Sequence, residues 1–194
     1  MARPFLYATL STILLYGTTA FAQSTFMTKE YVDVNNVKSA ILVHGDLNWN
    51  PVSLGSDCEF PTGSGVSVSS ATTLWMAGFD QQAQLHVSAQ TFRQTGNDFW
   101  PGPLENGSLN MATSTKWAKI WKVNFFDINT YLAQSIHTIN NTPDAILEWP
   151  AKGNPYAKGV YDSSLTITTD MAPFVDADSD GVYDPLKGDY PEIK

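Results

Sequence analysis

The chain has 194 residues, 11 of them basic and 19 acidic, for a formal net charge of −8 at pH 7. An acidic chain without a Lys/Arg cluster argues against nucleic acid and anionic membrane as partners, because both draw most of their affinity from phosphate neutralisation. The single cysteine, Cys58, excludes an internal disulfide and reads as a small buried hydrophobe rather than a thiol nucleophile.

Residues 1–22, MARPFLYATLSTILLYGTTAFA, combine an early cation (Arg3), an apolar stretch interrupted by Ser and Thr, and a small-x-small end at Ala20-Phe21-Ala22. That pattern predicts a secretory signal peptide cleaved after Ala22. The stretch is too short to span a bilayer comfortably, where about 20 mostly apolar residues are needed. No later segment is apolar enough for a membrane span, so the expected product is exported and soluble. Without disulfides its fold must come from a core or from bound metal.

From residue 23 to 170 the punctuation is that of short strands joined by turns, with Gly, Pro, Asn and Ser clustered between apolar runs. Ala40-Ile41-Leu42-Val43 predicts a strand, closed by a turn from His44 to Pro51, and 53–65 reads as loop. Val66 to Phe79 predicts a strand region centred on Leu74-Trp75-Met76. Asp80 to Ala83 then turns the chain, and Gln84 to Gln94 returns, with Leu85, Val87, Ala89 and Thr91 on one face. The loop Thr95 to Leu104 holds Phe99-Trp100 between glycines and prolines. Trp100 there either plugs the end of the fold or stacks on a ligand.

Ile120 to Val123 predicts a further strand. Asn124 with Asp127 forms a variant capping box, and Ile128, Tyr131, Leu132 and Ile136 follow the spacing of one buried helical face. A second short helix is expected with Thr142 as cap and Pro143 at its first position, ending at Pro150 and docking Ile146, Leu147 and Trp149. The helical insertion therefore covers about 124–149. One more strand is expected at Ser164 to Thr169. The fold class these elements predict is mainly β, sandwich-like, with a short helical insertion and a C-terminal calcium-type loop over 171–194.

That loop carries the sharpest motif, D-A-D-S-D-G-V-Y-D-P-L-K-G-D from Asp176 to Asp189. Asp176, Asp178 and Asp180 occupy the first, third and fifth positions of a calcium loop. Gly181 takes the sixth, where the backbone turns sharply, Val182 offers a carbonyl at the seventh, and Asp184 stands at the ninth. Calcium accepts about 6–8 oxygens in irregular geometry, which suits carboxylates and carbonyls arrayed on a curled backbone. Position twelve is Lys187 rather than a bidentate glutamate, and no apolar-periodic helix follows, so this is no helix-loop-helix sensor. Asp189 stands two residues further on and is the candidate for the missing carboxylate. The stretch resembles the short aspartate-rich calcium loops of dockerin modules and thrombospondin type 3 repeats, which implies a structural calcium.

A wider set of segments also looks familiar: N-N-V-K-S-A (35–40), G-D-L-N-W-N-P (45–51), F-P-T-G-S-G (60–65), L-W-M-A-G-F-D (74–80), A-Q-T-F-R-Q-T-G-N-D-F-W-P-G-P-L (89–104), I-W-K-V (120–123), W-P-A-K-G-N-P (149–155) and A-P-F-V-D-A-D-S-D-G-V-Y-D-P-L-K-G-D-Y-P (172–191). Together they resemble the N-terminal region of large secreted surface proteins of Bacteroidota, exported by a signal peptide and then by the type IX secretion system. The resemblance implies a cell-surface or released protein and supplies no catalytic residues. The resemblance implies a C-terminal sorting domain in such proteins, and no segment of this chain looks like one. It is accordingly read as an N-terminal fragment whose partners include the following domains of a longer chain.

Enzymatic motifs are sparse. His44, His86 and His137 are widely spaced, without an H-E-x-x-H, and neither a G-x-S-x-G elbow nor a phosphate-cradling glycine loop occurs. A glycosidase needs only two carboxylates roughly 5–10 Å apart, for which Asp46, Asp80 and Asp98 are the candidates, although each also reads as a turn former. Two functions follow. The first is a noncatalytic, calcium-stabilised module of a secreted protein serving adhesion or display on an extracellular glycan or protein surface. The second is a carbohydrate-active domain that engages glycan through Trp49 and Trp100.

Overall fold

Lys38–Leu42 (β2) is the hub of the N-terminal half, because its alternation places Ala40 and Leu42 inward with Trp49. In this computed structural model, which describes residues 28–89 and 98–193, three strands pair antiparallel with it: Lys29–Val32 (β1), Asp46–Leu47 (β3) and Cys58–Glu59 (β6). Thr72–Thr73 (β7) extends the sheet beyond β3. Between these, Trp49–Asn50 (β4) pairs with Gly55–Ser56 (β5), and Trp75–Phe79 (β8) with Leu85–Ala89 (β9). The protein is therefore mostly strands in small antiparallel sheets, with few short helices.

Several expectations are met. The 40–43 strand lies within β2 up to Leu42, and the hairpin of β8 and β9 turns at Asp80 to Ala83. There the Asp80 carboxylate accepts from the amides of Gln82 and Gln84, both at 2.9 Å. The stretch His44 to Pro51 is more than a turn, however, and 53–65 more than loop. Asn48, at φ 63°, interrupts the extended chain while its amide still bonds the Ala40 carbonyl of β2, so that two-residue rungs form on each side. Rungs this short carry no readable periodicity. The hairpin also differs in its surroundings, since the expected apolar centre Leu74-Trp75-Met76 is exposed. The signal segment 1–22 and the end of the return strand, from Gln90, lie outside the described residues.

The helical half shows larger differences. Met111–Trp117 (α1) was not expected, since M-A-T-S-T-K-W is rich in Ser and Thr. It forms because the Asn110 side chain caps it by accepting from Ala112 and Thr113 at 2.9 and 3.3 Å. Phe125–Leu132 (α2) has the expected capping box, Asn124 and Asp127 exchanging bonds of 3.0 Å. Ile128 and Tyr131 are buried, but α2 stops at Leu132, so Leu132 and Ile136 lie off the buried face and are exposed. Asp144–Leu147 (α3) begins one residue later than expected. Pro143 is itself the cap, and Thr142, its hydroxyl buried without a partner, caps nothing.

Two expected strands are not strands. Ile120 to Val123 is irregular and pairs with no strand among the described residues, although Trp121 packs beside Leu165 and Ile167, and Val123 beside Tyr131. Ser164 to Thr169 keeps a single bridge, Ser164 to Lys158, yet its period of two persists in the burial of Leu165 and Ile167. Alternation reports which side chains face the core, and a ladder needs a partner as well.

Glu148, just past α3, joins these pieces. Its carboxylate lies 2.7 Å from the Lys119 ammonium and 3.1 Å from that of Lys158. Burial works against its charged form, but the two lysines outweigh this and hold the carboxyl below its usual range. A lowered folded pKa contributes stability that is fully present above the ordinary value of 4.5 and is lost as pH falls through the folded value. Glu148→Gln is therefore expected to cost about 1–3 kcal/mol at neutral pH. The difference from wild type should vanish at the acid end of a series of urea titrations, and a pH-independent difference would refute the assignment.

Candidate metal centre

The Asp-rich loop is closed at its base by two strands of two residues each, Phe174–Val175 (β10) and Tyr190–Pro191 (β11), paired antiparallel with Phe174 opposite Pro191 and Val175 opposite Tyr190. Neither was expected from sequence, since a two-residue rung leaves no pattern. The ladder brings Asp176 and Asp189, thirteen positions apart in the chain, to adjacent corners of one loop.

Asp189 lies at the centre. Its side chain is fully buried, with Oδ1 accepting from the Ala177 amide at 2.8 Å and Oδ2 from the Asp184 amide at 2.7 Å. Asp176 organises the opposite side, accepting from the amides of Asp180 at 3.3 Å and Gly181 at 2.8 Å. Gly181 holds φ 75°, the left-handed turn expected at the sixth position. The outcome is that carboxylate oxygens of Asp176, Asp178 and Asp189 lie within 4.8 Å of one another.

The other expected ligands are placed differently. Asp180 turns to Lys187, whose ammonium lies 3.0 Å from Asp180 Oδ2 and 3.4 Å from Asp178 Oδ2. That contact holds the Asp180 carboxyl below its usual range and the lysine above its own. Asp184 accepts from the Leu186 amide at 2.9 Å. The Val182 amide donates to Asp180 at 2.8 Å. Three carboxylates therefore converge, and Asp180, Val182 and Asp184 shape the loop around them.

The donor set fits a hard divalent cation, since it offers only carboxylate oxygens with unused lone pairs. Burial, with the charges of Asp178 and Asp176 behind it, pushes the Asp189 carboxyl above its usual range despite two amide donors. Lys187 supplies one positive charge at the mouth, which leaves the five aspartates of the loop in excess.

Two tyrosines anchor the loop to the core. Tyr183, fully buried among Ile128, Tyr131, Ile146 and Ala151, donates its hydroxyl to the Ile146 carbonyl at 2.7 Å. Tyr131 donates to the Pro185 carbonyl at 2.7 Å and stacks on His137 with ring centroids 4.0 Å apart. Gly153 makes the approach feasible, because a Cβ there would stand 2.2 Å from Val182 Cγ1. In sequence, only the aromatic Tyr183 between Val182 and Asp184 hinted at an anchor.

The remaining candidates are dispersed over separate elements. Trp49 is buried in the β2 core, so its ring faces are given to packing with Ala40 and Leu42. Trp100 is half-buried on its loop, and Phe99 covers Gly45. Asp80 pairs with His86 at 2.9 Å while holding the hairpin turn, and Asp98 accepts from the Ala89 amide at 2.9 Å. Asp46 is buried 3.6 Å from His44. Cys58 is free and buried, as its reading as a small hydrophobe requires. No described helix is long and apolar enough to cross a membrane. Comparison of the chain with family models, with curated proteins and with solved structures finds no match.

Proposed function

We propose that the protein is a noncatalytic module of a secreted or cell-surface protein, stabilised by calcium in the loop 176–189 and serving adhesion or display. In this reading the five-stranded sheet is one layer of a sandwich-like β module. The observation that carries the reading is the convergence of Asp176, Asp178 and Asp189 oxygens inside a loop that β10 and β11 close and Tyr183 pins. Like charges held this close favour any state in which a cation sits between them. Calcium is preferred over magnesium because the donors are set by an irregular backbone curl, and magnesium demands a near-ideal octahedron. The export signal and the resemblance to type IX-secreted surface proteins supply the location, where free calcium is on the order of millimolar, the range in which extracellular modules bind.

Calorimetry and thermal melting test the reading. Calcium at about 100 times its dissociation constant should stabilise the fold by about 2.7 kcal/mol. EDTA should reverse the rise in Tm, and magnesium at equal concentration should give a smaller one. No heat and no shift in Tm at millimolar calcium would overturn the assignment.

A further inference from the structure

The β8–β9 hairpin presents an apolar face that is largely exposed. Directly opposed residues of an antiparallel pair share a face, so Trp75 with Ala89, Ala77 with Val87, and Phe79 with Leu85 form three rows on one side. Trp75 is 72% exposed, Phe79 75%, Leu85 59% and Val87 57%. The other side carries Met76, Gly78, His86 and Ser88 and is more polar. In β9 the alternation L-H-V-S-A puts the apolar residues on this one side, as in a strand that meets another layer.

We propose that this face docks on the same face of a second copy of the chain, forming a two-fold dimer. Three observations favour a second copy as the occupant. The first is area: the face offers about 500 Å² per copy, so a pair removes about 1,000 Å² from water, the lower bound for a specific interface. The second is charge. The chain carries a net −8, and self-association must avoid setting its carboxylates against one another. Between Glu59 and Arg93 the only charged or titratable side chains are Asp80 and His86, which bond to each other at 2.9 Å. The hairpin is thus a long uncharged surface on an acidic molecule. The third is shape. A two-fold axis parallel to the strands lays β8 of each copy over β9 of the other, which sets Trp75 over Ala89, Ala77 over Val87 and Phe79 over Leu85. Large side chains then meet smaller ones in every row, as interdigitation of facing sheets requires.

Sedimentation equilibrium of the purified protein tests this directly. A reversible, concentration-dependent dimer is expected, since an interface near the lower size bound is of the weak class. Val87→Lys sets two like charges into the dry centre of a two-fold interface and should weaken the dimer by about a hundredfold or more. Met76→Lys, on the opposite side of the same strand pair, should leave it unchanged. Phe79→Ser serves as a second disrupting variant, with far-UV circular dichroism confirming that the fold is kept in each. A wild-type protein that is monomeric at about 1 mM overturns the proposal, including the case in which some other protein binds the hairpin. A dimer equally tight in wild type, Val87→Lys and Phe79→Ser overturns it too.

Discussion

Tyr183→Ala is expected to destabilise the fold by about 4–6 kcal/mol, a large part of the 5–15 kcal/mol typical of a domain. The ring is fully buried, meets Phe174 edge-on with centroids 5.3 Å apart, and lies among Ile128, Tyr131 and Ile146. Removing it opens a cavity that α2 and α3 cannot collapse into, since Tyr131 is held separately by the Pro185 carbonyl. It also removes the Tyr183 hydroxyl from the Ile146 carbonyl, which then keeps only backbone amide donors such as Trp149 at 3.2 Å. Tyr183→Phe separates the two contributions, because it keeps the ring and loses only the bond, and about 1–2 kcal/mol is expected. Urea denaturation of the three proteins measures this. A loss below about 1 kcal/mol in Tyr183→Ala would mean that the loop is not anchored through this residue.

The contrast between Tyr183 and its surroundings indicates what the sequence could carry. Local rules were legible where one residue type has one use: Asn124 with Asp127 as a capping box, Asp80 to Ala83 as a hairpin turn, Gly181 as a left-handed turn. Burial periodicity was legible as well, down to Leu165 and Ile167 in a segment that forms no ladder. Partnership was not. Whether Ile120 to Val123 or Ser164 to Thr169 becomes a strand depends on an edge that another part of the chain supplies, and so do the two-residue rungs β3, β4, β5 and β6. The same reason hid β10 and β11, which decide the shape of the candidate site.

Within the site, the aspartate spacing pointed to convergent carboxylates but not to the division of labour among them. Sequence assigns six ligand positions, five carboxylates and the Val182 carbonyl, whereas the folded loop brings three carboxylates together and gives the rest to backbone amides and Lys187. That division rests on Asp189, which lies outside the twelve-residue frame and enters only because β11 returns beside β10.

Asp189→Ala is accordingly expected to cost about 3–4 kcal/mol and to abolish the calcium response. The first effect follows from hydrogen bonding alone. Both carboxylate oxygens are used, so truncation leaves the amides of Ala177 and Asp184 without their acceptor beside a fully buried position, at about 1–3 kcal/mol each. The second follows from the donor set, since Asp176 and Asp178 alone cannot enclose a cation that needs about 6–8 oxygens. Asp189→Asn discriminates between the two effects. It keeps one acceptor and the side-chain shape, but turns an amide group toward a backbone amide and carries no charge. Its loss in EDTA should be smaller than that of alanine, while its calcium response should be as fully lost. Melting curves of all three proteins with EDTA and with calcium provide the comparison. If calcium raises the Tm of Asp189→Asn as much as that of wild type, Asp189 serves only as a clasp for the loop and the cation is not bound through it.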